Sequence, residues 1–254
     1  MTMGRDSLAE SQKRAWAMLA LLLLLPLWWF AHRHTTFIEN PVTVFQELPA
    51  FLAKPGTWSN IGITIARVAA GLAVGIVSGF VVAFAMTRSR LAANVLGYYV
   101  TAALRTPSAI AAILALAIFK GSEIGYVLVV ALITFPYMAV GLRDGLASAD
   151  RELDEMARVY RFGLIAQVRH VGAPFIAPYI FAALRNSHAL AWKVIVVAEI
   201  FGAARQGFGA AFEHAWSYML MTEVHLWLLV FMAIVLFAEY GLIRSAERHV
   251  FRWR

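Results

Sequence analysis

Four cations, Arg67, Arg105, Arg185 and Lys193, stand inside long apolar stretches of this 254-residue chain. A cation at the middle of a membrane helix costs on the order of 2.5–3.5 kcal/mol on insertion scales, so each needs a partner, a route to the interface or a solute to face. With 100° of turn per residue, Arg185, His188, Trp192 and Glu199 fall within about 60° of one another on a helix, and Asn186 and Lys193 form a second polar line beside them. The chemistry on offer is accommodation of an anion, with Lys193 and His188 as the basic contacts and Trp192 narrowing the passage. Structural pairing is the competing reading for Lys193, and both stand. For Arg67, Arg105 and Arg185 the preferred reading is structural pairing, or snorkelling of Arg185 to the interface. Glu199 either shapes a gate or pairs with an arginine. His188, Trp192, Lys193, Glu199 and Arg105 make up the candidate pathway set.

Catalytic chemistry is poorly served. With no cysteine in the chain, thiolate catalysis, disulfides and thiolate metal sites are excluded. The seven histidines are dispersed, and His32-x-His34 lacks a third ligand, so it reads as an interfacial tail and no metal site is expected. Neither Gly-x-Ser-x-Gly nor the phosphate cradle Gly-x4-Gly-Lys-Ser/Thr occurs. The chain is expected to be no enzyme, to bind no cofactor itself, and to borrow any nucleotide chemistry.

These residues sit in a chain built for lipid. It is 61% hydrophobic, against about 45–50% in a soluble domain, and 15% charged against about 25%. Mean hydropathy is +0.69. About 20 apolar residues cross a bilayer as a helix, and six such runs are visible. The first, 15–31, follows a tail at 1–14 and closes on Trp28, Trp29 and Phe30, which reads as an interfacial anchor on a retained helix. Residues 32–57 lie outside the membrane, where Val42, Phe45, Leu48, Phe51 and Leu52 predict a short surface helix. The core, 58–243, holds spans at 58–86, 91–119 (interrupted at Thr106-Pro107), 124–146, 175–202 and 224–243, with a basic tail at 244–254. Gly71, Gly75 and Gly79 offer one small-residue face to another helix.

Orientation follows from charge. With both termini in the cytosol, 14 Lys and Arg residues fall inside and only Arg33, Lys54, Lys120 and Arg205 outside. The net charge of +7 is therefore a consequence of topology, and nucleic acid is not an expected partner.

The interior loop at 147–173 carries its own pattern. Leu153, Met156, Ala157, Tyr160 and Leu164 predict an apolar stripe on a short helix, opposite Arg151, Asp154, Glu155, Arg158 and Arg161. Such a helix is marginal alone and needs a partner surface. Gly163 is placed to relax the turn after it, and Pro174 to open the next helix.

Glu155-Met156-Ala157 followed by Val171-Gly172-Ala173-Pro174 resembles the EAA loop of bacterial ATP-binding-cassette importer permeases, in which a glutamate, a glycine and a proline stand at fixed offsets. Three departures are present: Met156 for a small residue, Arg161 where the glycine falls, and Gly163 two places late. Leu190-Ala191-Trp192, Val196-Val197-Ala198-Glu199, Gly207-Phe208-Gly209, Arg67-Val68 and Leu104-Arg105-Thr106-Pro107 are similar to the nitrate, sulfonate, taurine and bicarbonate branch of that family. The resemblance covers about residues 40–254. It implies an all-α, six-span type I permease fold with a cytoplasmic coupling helix, in the bacterial inner membrane among its lipids. It further implies a homodimer with a second copy, a cytosolic ATPase dimer that binds ATP and Mg, and a periplasmic or lipid-anchored solute-binding protein. Glu155, Ala157, Arg158 and Pro174 carry over as coupling residues. A self-sufficient channel or carrier, or an intramembrane enzyme, would need no docked cytosolic helix.

Overall fold

A computed structural model describes residues 16, 23–119, 121–148, 155–157 and 159–251. Among the described residues every regular element is helical. They fall into two compact units, one drawn from Met1–Trp58 with His214–Val230, the other from Ser59–Glu213 with Phe231–Arg254.

The first unit contains α1 (23–34) and α2 (Pro41–Ala53). Asn40 caps α2 by accepting from the Val42 N–H at 3.0 Å, and Pro41 suits the first turn, where its missing N–H removes no helical bond. Val44 and Phe51 are buried while Val42 and Phe45 remain exposed. Phe51 meets Trp227 edge-on at 5.0 Å, and Trp28 stacks on His225 at 5.9 Å while donating through Nε1 to the Glu39 carbonyl at 3.1 Å. Trp28 is thus a packing aromatic of this unit.

The second unit contains most of α3 (Pro55–Arg88), then α4 (Arg90–Arg105), α5 (Ser108–Phe119), α6 (Glu123–Ala147) and α7 (Leu164–Gln167). A π-helical turn, Val168–Gly172, leads into α8 (Ala173–Phe201). After α9 (Phe208–Ser217) and α10 (Met221–Leu236), a second π-helical segment, Phe237–Ile243, leads into α11 (Arg244–Val250). The core includes Val68, Leu116, Tyr126, Val130, Trp192 and Ile195. The glycine face of α3 is used inside the chain, against α6. A Cβ at Gly79 would lie 2.5 Å from the Met138 Cβ and 2.9 Å from the Phe135 carbonyl oxygen, and Gly71 and Gly75 face Val130 and Thr134.

Among the described residues four helical stretches are long and apolar enough to cross a membrane: Pro55–Arg88, Glu123–Ala147, Ala173–Phe201 and Met221–Val250, the last running through the π-helical segment. A fifth crossing is available from α4 and α5, but they meet at 106°. The expected third span is therefore a sharply broken pair. Pro107 explains the break: it pushes the residue before it out of the helical region, and Thr106 is extended at φ −72, ψ 128. Of the first expected span, 15–31, residues 23–31 are helical as part of α1, and the rest apart from residue 16 lies outside the described residues.

Gly79→Leu is expected to destabilise the fold by roughly 1–3 kcal/mol, because its side chain has to displace Met138 and α6 backbone. Gly62→Ala, with no atom within 4 Å of the added carbon, is expected to be neutral. Thermal melts in detergent that ranked the two the other way would contradict this packing.

Candidate functional site

On α3, Asn60, Thr64 and Arg67 share one face at steps of four and three residues. Opposite them on α8, Glu199 is 0% exposed. Its carboxylate accepts from Arg67 Nη1 at 2.7 Å, from Thr64 Oγ1 at 2.8 Å and from the Gly209 N–H at 2.7 Å. Arg67, 4% exposed, also donates through Nε to Glu123 at 2.8 Å and through Nη1 to the Gln206 carbonyl at 2.8 Å, and lies 4.5 Å over the Tyr126 ring. Asn60 Oδ1 accepts from the Gly207 N–H and Thr64 Oγ1 from the Phe208 N–H, at 2.8 and 2.7 Å. A buried carboxylate is tolerable only with such a full set of donors. Gly207 is required twice over: its φ is +128, and a Cβ would lie 2.6 Å from the Glu199 Cδ.

A second polar cluster joins α8 to the π-helical segment and α11. Arg185 lies 3.6 Å from Glu239 and pairs with Glu247, while His188 Nδ1 lies 3.5 Å from Glu239. Trp192 Nε1 donates to His188 Nε2 at 2.8 Å, and its ring meets Phe231 edge-on at 6.0 Å. The stripe Arg185, His188, Trp192 and Glu199 is thus divided between two sets of partners within the same unit. His188 and Trp192 are buried.

A different face of α8 stays open. Ala182, Asn186, Ala189 and Lys193, at steps of four, three and four, are all exposed. The Lys193 side chain makes no hydrogen bond or ion pair among the described residues. Arg105 is exposed at the end of α4, beside the break.

In the interior loop, Leu153 and Arg158 lie outside the described residues, and so do Arg151 and Asp154. Residues 155–157 and 159 are helical, with Ala157 buried and Glu155 exposed. The Tyr160 N–H bonds the Met156 carbonyl at 3.0 Å and the Phe162 N–H bonds the Ala157 carbonyl at 2.9 Å, with Arg161 between at φ +53. This is a Schellman cap with arginine in the position that favours glycine. The expected stripe is accordingly cut after Tyr160: Leu164 opens α7 instead of extending the short helix, and the turn is made by Arg161 while Gly163 follows it. Met156, Val159 and Tyr160 stand out from this end, the last two 78% and 71% exposed. Pro174 sits in the first turn of α8, which continues directly from the π-helical turn.

Residues 71–246 match the family described as binding-protein-dependent transport system inner membrane component. The chain belongs to that family. The permease is similar to the aliphatic sulfonates transport permease protein SsuC of Bacillus subtilis, 25% identical over 224 residues that cover 86% of this chain and 79% of that protein. It is similar to the riboflavin transport system permease protein RibX of Chloroflexus aurantiacus, 35% identical over 127 residues covering 50% of this chain and 47% of that one. In fold it resembles a chain of the MetNI methionine ABC transporter in its inward-facing conformations. That match has a TM-score of 0.55 and 16% identity over 77% of this chain and 94% of the other. The permease is thus a multi-pass, all-α membrane component of an ABC importer.

Several residues that hold these centres were not anticipated. Asn60 and Thr64 show, in sequence spacing alone, the face they share with Arg67, for which structural pairing is the preferred reading. Glu239 stands inside the last apolar run, and applying the cost of intramembrane charge to anions as well finds it, whereas Glu123, exposed at the start of α6, gives no such signal.

Glu199→Ala is expected to destabilise the permease by about 3–5 kcal/mol, since it strands a buried arginine. Arg161→Gly is expected to stabilise the short helix by about 1 kcal/mol by removing a Cβ from a left-handed position. Melting of the purified protein checks the first. Slower hydrogen exchange of the Tyr160 and Phe162 amides checks the second, and unchanged exchange would count against the cap.

Proposed function

We propose that two copies of this permease form the membrane pathway of an importer for small anions, driven by a separate cytosolic ATPase dimer and supplied by an external solute-binding protein. Both termini lie in the cytosol in this reading, consistent with the distribution of cations along the sequence. ATP and Mg belong to the partner. Similarity to a permease named for aliphatic sulfonates favours an organic sulfonate or a related oxyanion as the solute.

The observation that carries the coupling role is the apolar end at Met156, Val159 and Tyr160, left uncovered in a single chain beside a buried Ala157. Large apolar side chains on a water-facing loop need a surface to bury them. The groove of an ATPase subunit supplies it, with Glu155 as a charged contact beside the apolar tip. After the turn at 160–163, the chain runs from α7 through the π-helical turn into α8 without a further break. Movement of the handle is passed to the helix that carries both polar centres, and alternating access follows when the partner binds the two states unequally. His188, Trp192 and Glu199 act by positioning α8 against its neighbours.

Tyr160→Asp and Glu155→Ala are each expected to reduce the ATPase that co-elutes with the permease by at least about tenfold, the loss typical of removing an interface anchor. The variants should keep the size-exclusion profile of the parent. Retention of ATPase by both, or solute flux through liposomes containing this chain alone, would overturn the proposal.

A further inference from the structure

We propose that Lys193, with Asn186 on the same open face of α8, is an anion contact within the membrane part of the permease, suited to a small oxyanion such as a sulfonate or carboxylate group. This deepens the importer reading and rests on it for the pathway that the face would line.

The first ground is an unbalanced charge. Of the intramembrane cations on α3 and α8, Arg67 is held by Glu199 and Glu123, and Arg185 by Glu239 and Glu247. Lys193 has no such partner among the described residues. It stands eight residues before the end of α8 at Phe201, about 12 Å along the axis, too far from that end for ready snorkelling. A cation left in lipid at this depth is costly. Water, or a solute carrying negative charge, removes that cost.

The second ground is the character of the face. Exposed positions that suit lipid are large and apolar, as at Val77, Val81 and Phe84 on α3 or Met232 and Leu236 on α10. The face of α8 that bears Lys193 offers Asn186 and two alanines instead. Small and polar residues there leave room beside the helix and supply a neutral amide donor, Asn186, two turns before Lys193. His188, the other basic group expected to take part, is turned away onto Trp192 and Glu239. The site is therefore Lys193 with Asn186. A lysine ammonium is a compact, strongly hydrated point charge, which holds an anion without the bidentate geometry that would slow its release.

The chain has no cysteine, so Ala189→Cys places a single thiol on this face, one turn from Lys193. In membranes containing the whole assembly, the thiol is labelled with the anionic 2-sulfonatoethyl and the cationic 2-trimethylammonioethyl methanethiosulfonates. The ratio of the two rates is normalised to that of free 2-mercaptoethanol. A unit charge about 6 Å away shifts opposite charges in opposite directions, so the ratio is expected to be at least about tenfold higher with Lys193 than with Lys193→Met, and to survive Lys193→Arg. Lys193→Gln repeats the comparison if the methionine variant fails to reach the membrane. Failure of both reagents to label the thiol, or a ratio indifferent to Lys193, overturns the proposal. ATPase recovered from the same membranes judges the importer reading separately: its presence without charge-dependent labelling removes Lys193 alone, and charge-dependent labelling without it removes the importer.

Discussion

A carboxylate with no access to water has to be surrounded by donors, and around Glu199 those donors come from different parts of the chain. Thr64 and Arg67 belong to α3, and Gly209 opens α9. Arg67 is shared with Glu123 at the start of α6 and with the carbonyl of Gln206. One buried charge thus fixes α3, α6, α8 and the connection at 202–207 against one another. Apolar residues of similar volume often replace a buried ion pair at no loss of stability. What the pair adds is selection of a single arrangement, since sliding α3 by one residue would carry Thr64 and Arg67 off the face that meets Glu199. Gly207 and Gly209 belong to the same constraint, because the backbone has to come within bonding distance of the carboxylate with no Cβ in between.

The cost of charge in a membrane also explains how α8 is divided. Its ionisable groups separate by whether the chain neutralises them. Glu199 near one end meets Arg67, and Arg185 and His188 toward the other meet Glu239 on the π-helical segment and, for Arg185, Glu247 on α11. A π-helical turn inserts a residue and re-aims the side chains beyond it. In the segment Phe237–Ile243 this occurs on the stretch that presents Glu239 to α8. Pairing at two separated levels holds α8 as one body along its length, and leaves Lys193 as the charge on α8 with no partner among the described residues.

The spans are readable from sequence because about 20 apolar residues leave little alternative to a crossing helix, and α3, α6 and α8 begin and end within three residues of the runs that predict them. The small-residue face of α3 was equally visible, but spacing cannot tell which helix it meets; in the structure that helix is α6. Thr106-Pro107 marked an interruption, whereas the 106° angle depends on tertiary packing that no local rule supplies. The buried centre was half legible. Asn60, Thr64 and Arg67 recur at helical steps, yet the carboxylates that answer them lie 56 and 132 residues beyond Arg67. Glu199 stands inside an apolar run, where its charge calls for an arginine, whereas Glu123 is exposed at the start of α6 and carries no such signal.

The interior loop shows why an apolar stripe alone misplaces the end of a helix. A stripe at three- and four-residue steps continues to Leu164, but the cap at Arg161 stops the helix first. Among the described residues the non-glycine residues with positive φ are Arg161, Ala203 and Met219. In each case the next residue's N–H reaches back five positions, Phe162 to Ala157, Ala204 to Glu199 and Leu220 to Ala215. Each is therefore a Schellman stop made without glycine, at a cost of roughly 1–2 kcal/mol for the crowded Cβ. In the loop the stop turns the chain directly after Tyr160, so the apolar side chains of the last turn stand at the tip instead of along the side of a longer helix. A tip presents its side chains to a groove without demanding a long matching surface. A helix continued to Leu164 would spread the same apolar area over another turn.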